Sequence, residues 1–79
     1  MDNAKKYLKI FVDVLEVAED KVLNLNYRDV PAWDSVGHMT LIAEIESEFD
    51  VMLDTEEIID FNSFEKGKEI LSNNYGVEF

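Results

Sequence analysis

The chain has no cysteine, one proline and very little positive charge in its second half. Without cysteine there is no disulfide framework, no thiolate metal site and no catalytic thiol. Residues 1–33 carry six acids and five bases, whereas residues 34–79 carry twelve acids against Lys66 and Lys68 alone. The formal charge of −11 disfavours nucleic acid, which requires a basic footprint, and anionic membrane surfaces. It favours steered encounter with basic protein surfaces. No apolar run reaches transmembrane length and no signal-peptide core is evident, so a cytoplasmic location is expected. Internal repeats and low-complexity stretches are also absent.

What remains is a chain of 79 residues with a 47% apolar share, read as a single domain over 1–79. A domain of this size buries only roughly 60% of its unfolded surface, which leaves little room for an enclosed active site. Residues 3 to about 17 read as a helix, with Ala4, Tyr7, Leu8, Phe11, Val14 and Leu15 at 3.6-residue spacing and Asp2 or Asn3 as its cap. Residues 18 to 33 break that period. Pro31 biases Val30 away from helix, and Val22, Leu23, Leu25, Tyr27, Val30 and Trp33 are expected to pin this long loop.

Residues 35 to 49 read as the second helix. Leu41, Ile42, Ile45 and Phe49 form its core stripe, and Val36, Met39 and Ala43 a second, weaker one. Glu44, Glu46, Glu48 and Asp50 crowd the C-terminal end, where acids oppose the helix dipole; a partner would explain them better than local stability does. Asp54-Thr55-Glu56-Glu57 has the pattern of a capping box, with Leu53 and Ile58 at the staple positions. The short helix it starts gives way to another, capped by Ser63 and running from 64 to about 73, with Phe64, Ile70 and Leu71 inward. Beyond it, Gly76 and the last residues are expected to fray. The sum is an all-α fold: a small four-helix bundle of three main helices and one short helix, with a long loop between helices 1 and 2.

Ser35, at the start of the second helix, has three readings. It can cap the helix together with Asp34. It can be the nucleophile of a hydrolytic set with His38 and Asp34, although an oxyanion hole and a substrate pocket are hard to place in so small a chain. On that view's rival, His38 is an exposed helix residue that adjusts local charge. Or Ser35 can carry a phosphate ester, since free N–H groups and the helix dipole favour negative charge there. In the last case Val36, Met39 and Ala43 offer partners a shallow apolar strip, Glu46, Asp50, Glu56 and Glu57 ring it with charge, and Gly37 leaves room beside the hydroxyl.

Trp33-Asp34-Ser35-Val36-Gly37-His38-Met39, followed by Glu46-Ser47-Glu48-Phe49 and Asp54-Thr55-Glu56-Glu57-Ile58, resembles an acyl carrier protein over nearly the whole chain. The resemblance implies that Ser35 receives 4′-phosphopantetheine from coenzyme A through a phosphopantetheinyl transferase. The arm would hold acyl groups as thioesters for fatty-acid, polyketide or other specialised pathways, in a monomer that is not itself an enzyme. It further implies docking of basic acyl-loading and acyl-transferring enzymes on Asp34, Val36, Met39, Ala43, Glu46, Asp50, Glu56 and Glu57. Leu41, Ile45, Phe49, Leu53 and Ile58 become candidate lining for an acyl chain.

Departures from the family pattern are Val36 in place of the commoner Leu, and His38 and Thr40 where docking charge is often denser. Trp33 with Gly37-His38 is closer to stand-alone carriers of specialised pathways. Ala32-Trp33-Asp34 does not match peptidyl carriers, and a D-alanyl or aminoacyl carrier stays open. So does an acidic helical interaction module without a prosthetic group. Asp50, Asp54, Glu56 and Glu57 form no EF-hand pattern, so no metal site is expected. Calorimetric titration with Ca²⁺ or Mg²⁺ should show no stoichiometric submicromolar binding; such a curve would contradict this reading.

Overall fold

Residues 2–79 are described by the computed structural model of the chain. Asp2 opens helix α1 (Asn3–Leu15) by accepting the Ala4 and Lys5 N–H groups at 3.0 and 3.3 Å. The helix ends two residues earlier than its periodicity suggests. Glu16 takes a left-handed conformation, with φ of 55°, which stops the helical path without a glycine to mark it. Tyr7, Phe11 and Leu15 are buried, Leu8 and Val14 partly so, and Ala4 is exposed.

The long connection contains one turn of helix, α2 (Glu19–Val22), too short to show a helical period in the sequence. Val22, Leu25 and Trp33 anchor this segment in the core. Its backbone is tied to the far end of the fold, where Tyr27 donates to the Asn62 carbonyl at 2.8 Å and Phe64 to the Leu25 carbonyl at 3.2 Å. The two bonds form an isolated antiparallel bridge between Asn26 and Ser63. A loop this long holds one shape because its apolar residues and its backbone are both engaged.

Helix α3 (Ser35–Phe49) has the bounds the sequence suggests. Leu41, Ile42 and Ile45 face α1 and the core, while Phe49 is half-buried. Helix α4 (Thr55–Asp60) begins with the expected capping box: Asp54 accepts the Glu57 N–H at 2.8 Å, and Glu57 accepts the Asp54 N–H at 3.0 Å. Ser63 caps α5 (Phe64–Tyr75) through the Lys66 N–H at 3.0 Å. The last residues do not fray. Val77 is buried and donates to the Leu71 carbonyl at 3.1 Å, Asn3 bonds the Glu78 carbonyl at 2.9 Å, and the Phe79 ring lies 5.2 Å from Tyr7.

Phe11 sits at the centre of an aromatic cluster, with ring centroids of Tyr7, Phe64, Trp33 and Phe61 at 4.8, 4.9, 5.6 and 6.2 Å. Full burial of each such ring contributes roughly 1.5–3 kcal/mol. Tyr7 donates its hydroxyl to the Phe64 carbonyl at 2.7 Å, and burial pushes its phenol well above the usual value. Gly67 permits this packing, because a Cβ there would overlap Phe61 and the Tyr7 hydroxyl. Among the described residues no buried side-chain nitrogen or oxygen lacks a partner.

Helix α4 is held to α5 through Glu57. Its carboxylate accepts from the Tyr75 hydroxyl and from Asn74 at 2.7 Å, and the Tyr75 hydroxyl also lies 2.8 Å from the Met52 carbonyl. The Tyr75 bond, then the Asp54 N–H, hold Glu57 below its ordinary 4.5. The same bond to Glu57 pushes Tyr75 from 10 up to about 12. Lowered on folding, Glu57 adds stability above its ordinary value and loses it as pH falls through the folded one. Raised on folding, Tyr75 adds stability below 10 and loses it as pH climbs toward about 12. Melting temperature against pH should therefore lose part of its acid-side slope in Glu57→Gln and part of its alkaline-side slope in Tyr75→Phe. Profiles parallel to the wild type would refute this assignment.

Candidate functional site

Asp34 ends the long connection in an extended conformation and caps α3, with its Oδ1 accepting the Gly37 N–H at 2.8 Å. The capping role is thus filled by the residue before Ser35. Ser35 is the first residue of the helix and is exposed. Its hydroxyl lies 3.5 Å from the Tyr27 hydroxyl. That contact, aided by the Arg28 guanidinium 5.3 Å above the Tyr27 ring, lowers the Tyr27 phenol from its usual value. A hydroxyl outside the capping scheme, at the positive end of a helix, can be esterified by a phosphate without breaking the fold.

Gly37 serves a different purpose from the one read in the sequence. A Cβ on Gly37 would collide with the Ala32 carbonyl oxygen, so the missing side chain lets the loop lie against the first turn of α3. The room is filled by backbone, not kept for the serine.

His38 is not the exposed helix residue expected. It is half-buried, and both ring nitrogens are bonded. The Trp33 indole N–H donates to Nδ1 at 3.0 Å, and Nε2 lies 2.8 Å from the Ile58 carbonyl. An indole nitrogen can only donate, so Nδ1 accepts and the proton resides on Nε2, pointing at Ile58. With both nitrogens committed, and the Asp34 oxygen on the Gly37 N–H, these residues form no relay to Ser35. The hydrolytic reading has no geometry to stand on.

Around Ser35 the second apolar stripe of α3 lies outside the core: Val36 is 76% and Met39 54% exposed, and Ala43 is exposed too. Met52 and Ile59 are exposed as well. The acids divide. Glu56 and Asp50 are exposed. Glu46 accepts the Leu53 N–H at 2.9 Å and so shapes the α3–α4 link, while Glu57 is taken up by Asp54, Asn74 and Tyr75. Sequence spacing places Glu46 and Glu57 on the ring of charge without revealing these internal bonds. Asp50 adopts φ of 54° at the C-terminal cap of α3, a conformation that favours glycine.

Of the candidate lining residues, Leu41, Ile45 and Leu53 are buried within the packed core. Ile58 lines an open apolar cleft of about 240 Å³ with Tyr27, His38, Ile59, Phe61 and Asn62. A larger groove of about 810 Å³ runs between α1 and α3, past Lys6, Lys9, Thr40, Glu44 and Glu48, and includes none of Tyr27, Val36, His38 and Met39. Tyr27 and His38 are the site residues whose roles the sequence did not reveal. The only signal was their aromatic character beside Trp33.

The chain is 32% identical over 75 residues to an acyl carrier protein of Buchnera aphidicola subsp. Schizaphis graminum (strain Sg), covering 92% of this chain and 95% of that one. No family model and no solved structure matches. Among the described residues no helix is long and apolar enough to cross a membrane.

The division of roles at the helix start can be measured by urea denaturation. Asp34→Ala should cost about 1 kcal/mol through the lost cap, and Gly37→Ala on the order of 2 kcal/mol through overpacking. Ser35→Ala should stay within about 0.5 kcal/mol of the wild type. A Ser35→Ala cost as large as that of Asp34→Ala would return Ser35 to a structural role.

Proposed function

The chain belongs to the acyl carrier protein family, and from that premise we propose that Ser35 bears a 4′-phosphopantetheine arm. The observation that carries the proposal is the division between Asp34, which caps α3, and Ser35, whose exposed hydroxyl is left over at the same helix end. The residues there suit a phosphodiester. Helix polarity favours its charge, and the Tyr27 hydroxyl, with Arg28 over its ring, lies beside the position. The chain has no cysteine, so the thiol that holds acyl groups as thioesters is the one the arm supplies. The protein is a carrier and not an enzyme: it raises the effective concentration of a tethered acyl group for enzymes that do the chemistry.

A phosphopantetheinyl transferase, and then acyl-loading and acyl-transferring enzymes, dock on the face around Ser35. Val36, Met39 and Ala43 give it an apolar centre. Methionine adapts to more than one partner surface. Asp50 and Glu56 meet basic patches, while Asp34, Glu46 and Glu57 add to the field though each has an oxygen bonded within the fold. Asp50 supports this assignment by its cost. A non-glycine residue in the left-handed region costs roughly 1–2 kcal/mol, and its charge opposes the helix dipole. The pathway served is a fatty-acid, polyketide or specialised one.

Incubation with coenzyme A and a broad-specificity transferase should add the mass of one phosphopantetheine to the wild-type chain and none to Ser35→Ala. An unchanged wild-type mass would favour an acidic interaction module without an arm. Charge attraction between exposed groups is screened over about 8 Å at physiological ionic strength, so the modification rate should fall as salt rises. A rate indifferent to salt would reduce the acidic face to a solubilising surface.

A further inference from the structure

Tyr27 is held more firmly than a residue of a surface connection needs to be. Its backbone N–H is bonded to the Asn62 carbonyl at 2.8 Å, and the next residue, Arg28, donates to the Trp33 carbonyl at 3.2 Å. Arg28 takes a φ of 73°, in the left-handed region that L side chains rarely adopt. Strain of this kind persists only where the surroundings enforce it. The Tyr27 ring stands edgewise to Trp33 at 6.1 Å and to His38 at 5.4 Å. Phenylalanine would meet all of these demands. What it would not supply is the hydroxyl, which is directed at the Ser35 hydroxyl.

In the unmodified chain either hydroxyl can donate to the other. Esterification removes that choice, because the Ser35 oxygen exchanges its proton for phosphorus and has nothing left to donate. The Tyr27 phenol keeps its proton, and a bond from it to an anionic oxygen is shorter and stronger than one between neutral hydroxyls. Resting on the carrier reading of Ser35, we propose that Tyr27 is a positioning residue for the arm: its hydroxyl donates to the phosphodiester and sets the heading with which the arm leaves α3. The groups that bear on this phenol are Arg28 on its own segment, and Asp34, Ser35 and His38 at the start of α3. Across the cleft stand Ile58, Ile59 and Asn62, which do not titrate. The Ser35 bond is the main cause that lowers the Tyr27 phenol in the unmodified chain. Tyr7 and Tyr75 are both raised, so Tyr27 is the first of the three tyrosines to ionise.

The test compares the full chain before and after modification, with the arm's thiol alkylated, by tyrosinate absorbance and phosphorus NMR across the alkaline range. Modification should move the first ionisation step upward by about one pH unit or more, since a lost donor and a gained anion both favour the protonated phenol. The phosphorus signal should shift with that same midpoint. In modified Tyr27→Phe, which keeps the ring, the first step and the phosphorus shift should both vanish, and the signal at neutral pH should differ from that of the wild type. If Tyr27→Phe does not fold, the wild-type pair decides. A phosphorus signal blind to the first ionisation would overturn this inference alone, whether or not the midpoint rises, and would leave Tyr27 a packing residue. An unmoved midpoint, or one phosphorus signal shared by the wild type and Tyr27→Phe, would overturn it too. A wild-type chain that takes no arm at all would instead overturn the carrier reading beneath it.

Discussion

The bond from the Trp33 indole to His38 is the constraint from which the rest of the site follows. Burying an indole in a core of this size demands an acceptor for its N–H, and Trp33 is wholly buried with its edge on Phe11. His38, one turn into α3, supplies that acceptor. Its remaining nitrogen then needs a partner of its own and finds the Ile58 carbonyl, near the end of α4 where carbonyl groups run out of intrahelical donors. A single requirement set in the core thus joins the long connection, the first turn of α3 and the end of α4.

On that frame the start of α3 is over-determined, and this is what leaves one group free. Asp34 caps, Gly37 yields space to the Ala32 carbonyl, and His38 bonds on both sides. Asp34, Gly37 and His38 meet the structural demands of the helix start, and the Ser35 hydroxyl keeps only its 3.5 Å contact with Tyr27. The same economy shapes the outer face of α3. Three large residues fill the core, and the second apolar stripe is not needed there; it lies in solvent beside unengaged acids.

Much of the fold was legible because helix ends carry local chemistry. The Asp34 and Ser63 caps and the Asp54–Glu57 box fix α3, α4 and α5 in the sequence, and the structure keeps them. What was not legible depends on long-range pairing. The end of α1 rests on a left-handed Glu16 that has no sequence signature. Phe79 folds back on Tyr7 through a ring contact between residues far apart in the chain. Glu46 and Glu57 read as surface charge because spacing shows which face a residue shares and not which backbone N–H comes to meet it. At the candidate site, the place of Ser35 before an amphipathic run is visible in the sequence, and the structure keeps it exposed at the helix start. His38 was misjudged because its partners, Trp33 and Ile58, meet only after α4 has docked.

One consequence is optical. The chain has a single tryptophan, and it is the residue bonded to His38, sealed from water and stacked against that imidazole. Its fluorescence therefore originates at one place, a few side chains from the serine. The molecule has a built-in spectroscopic gauge of that junction, needing no dye, and any event that pries α4 from α3 must pass through the light it emits.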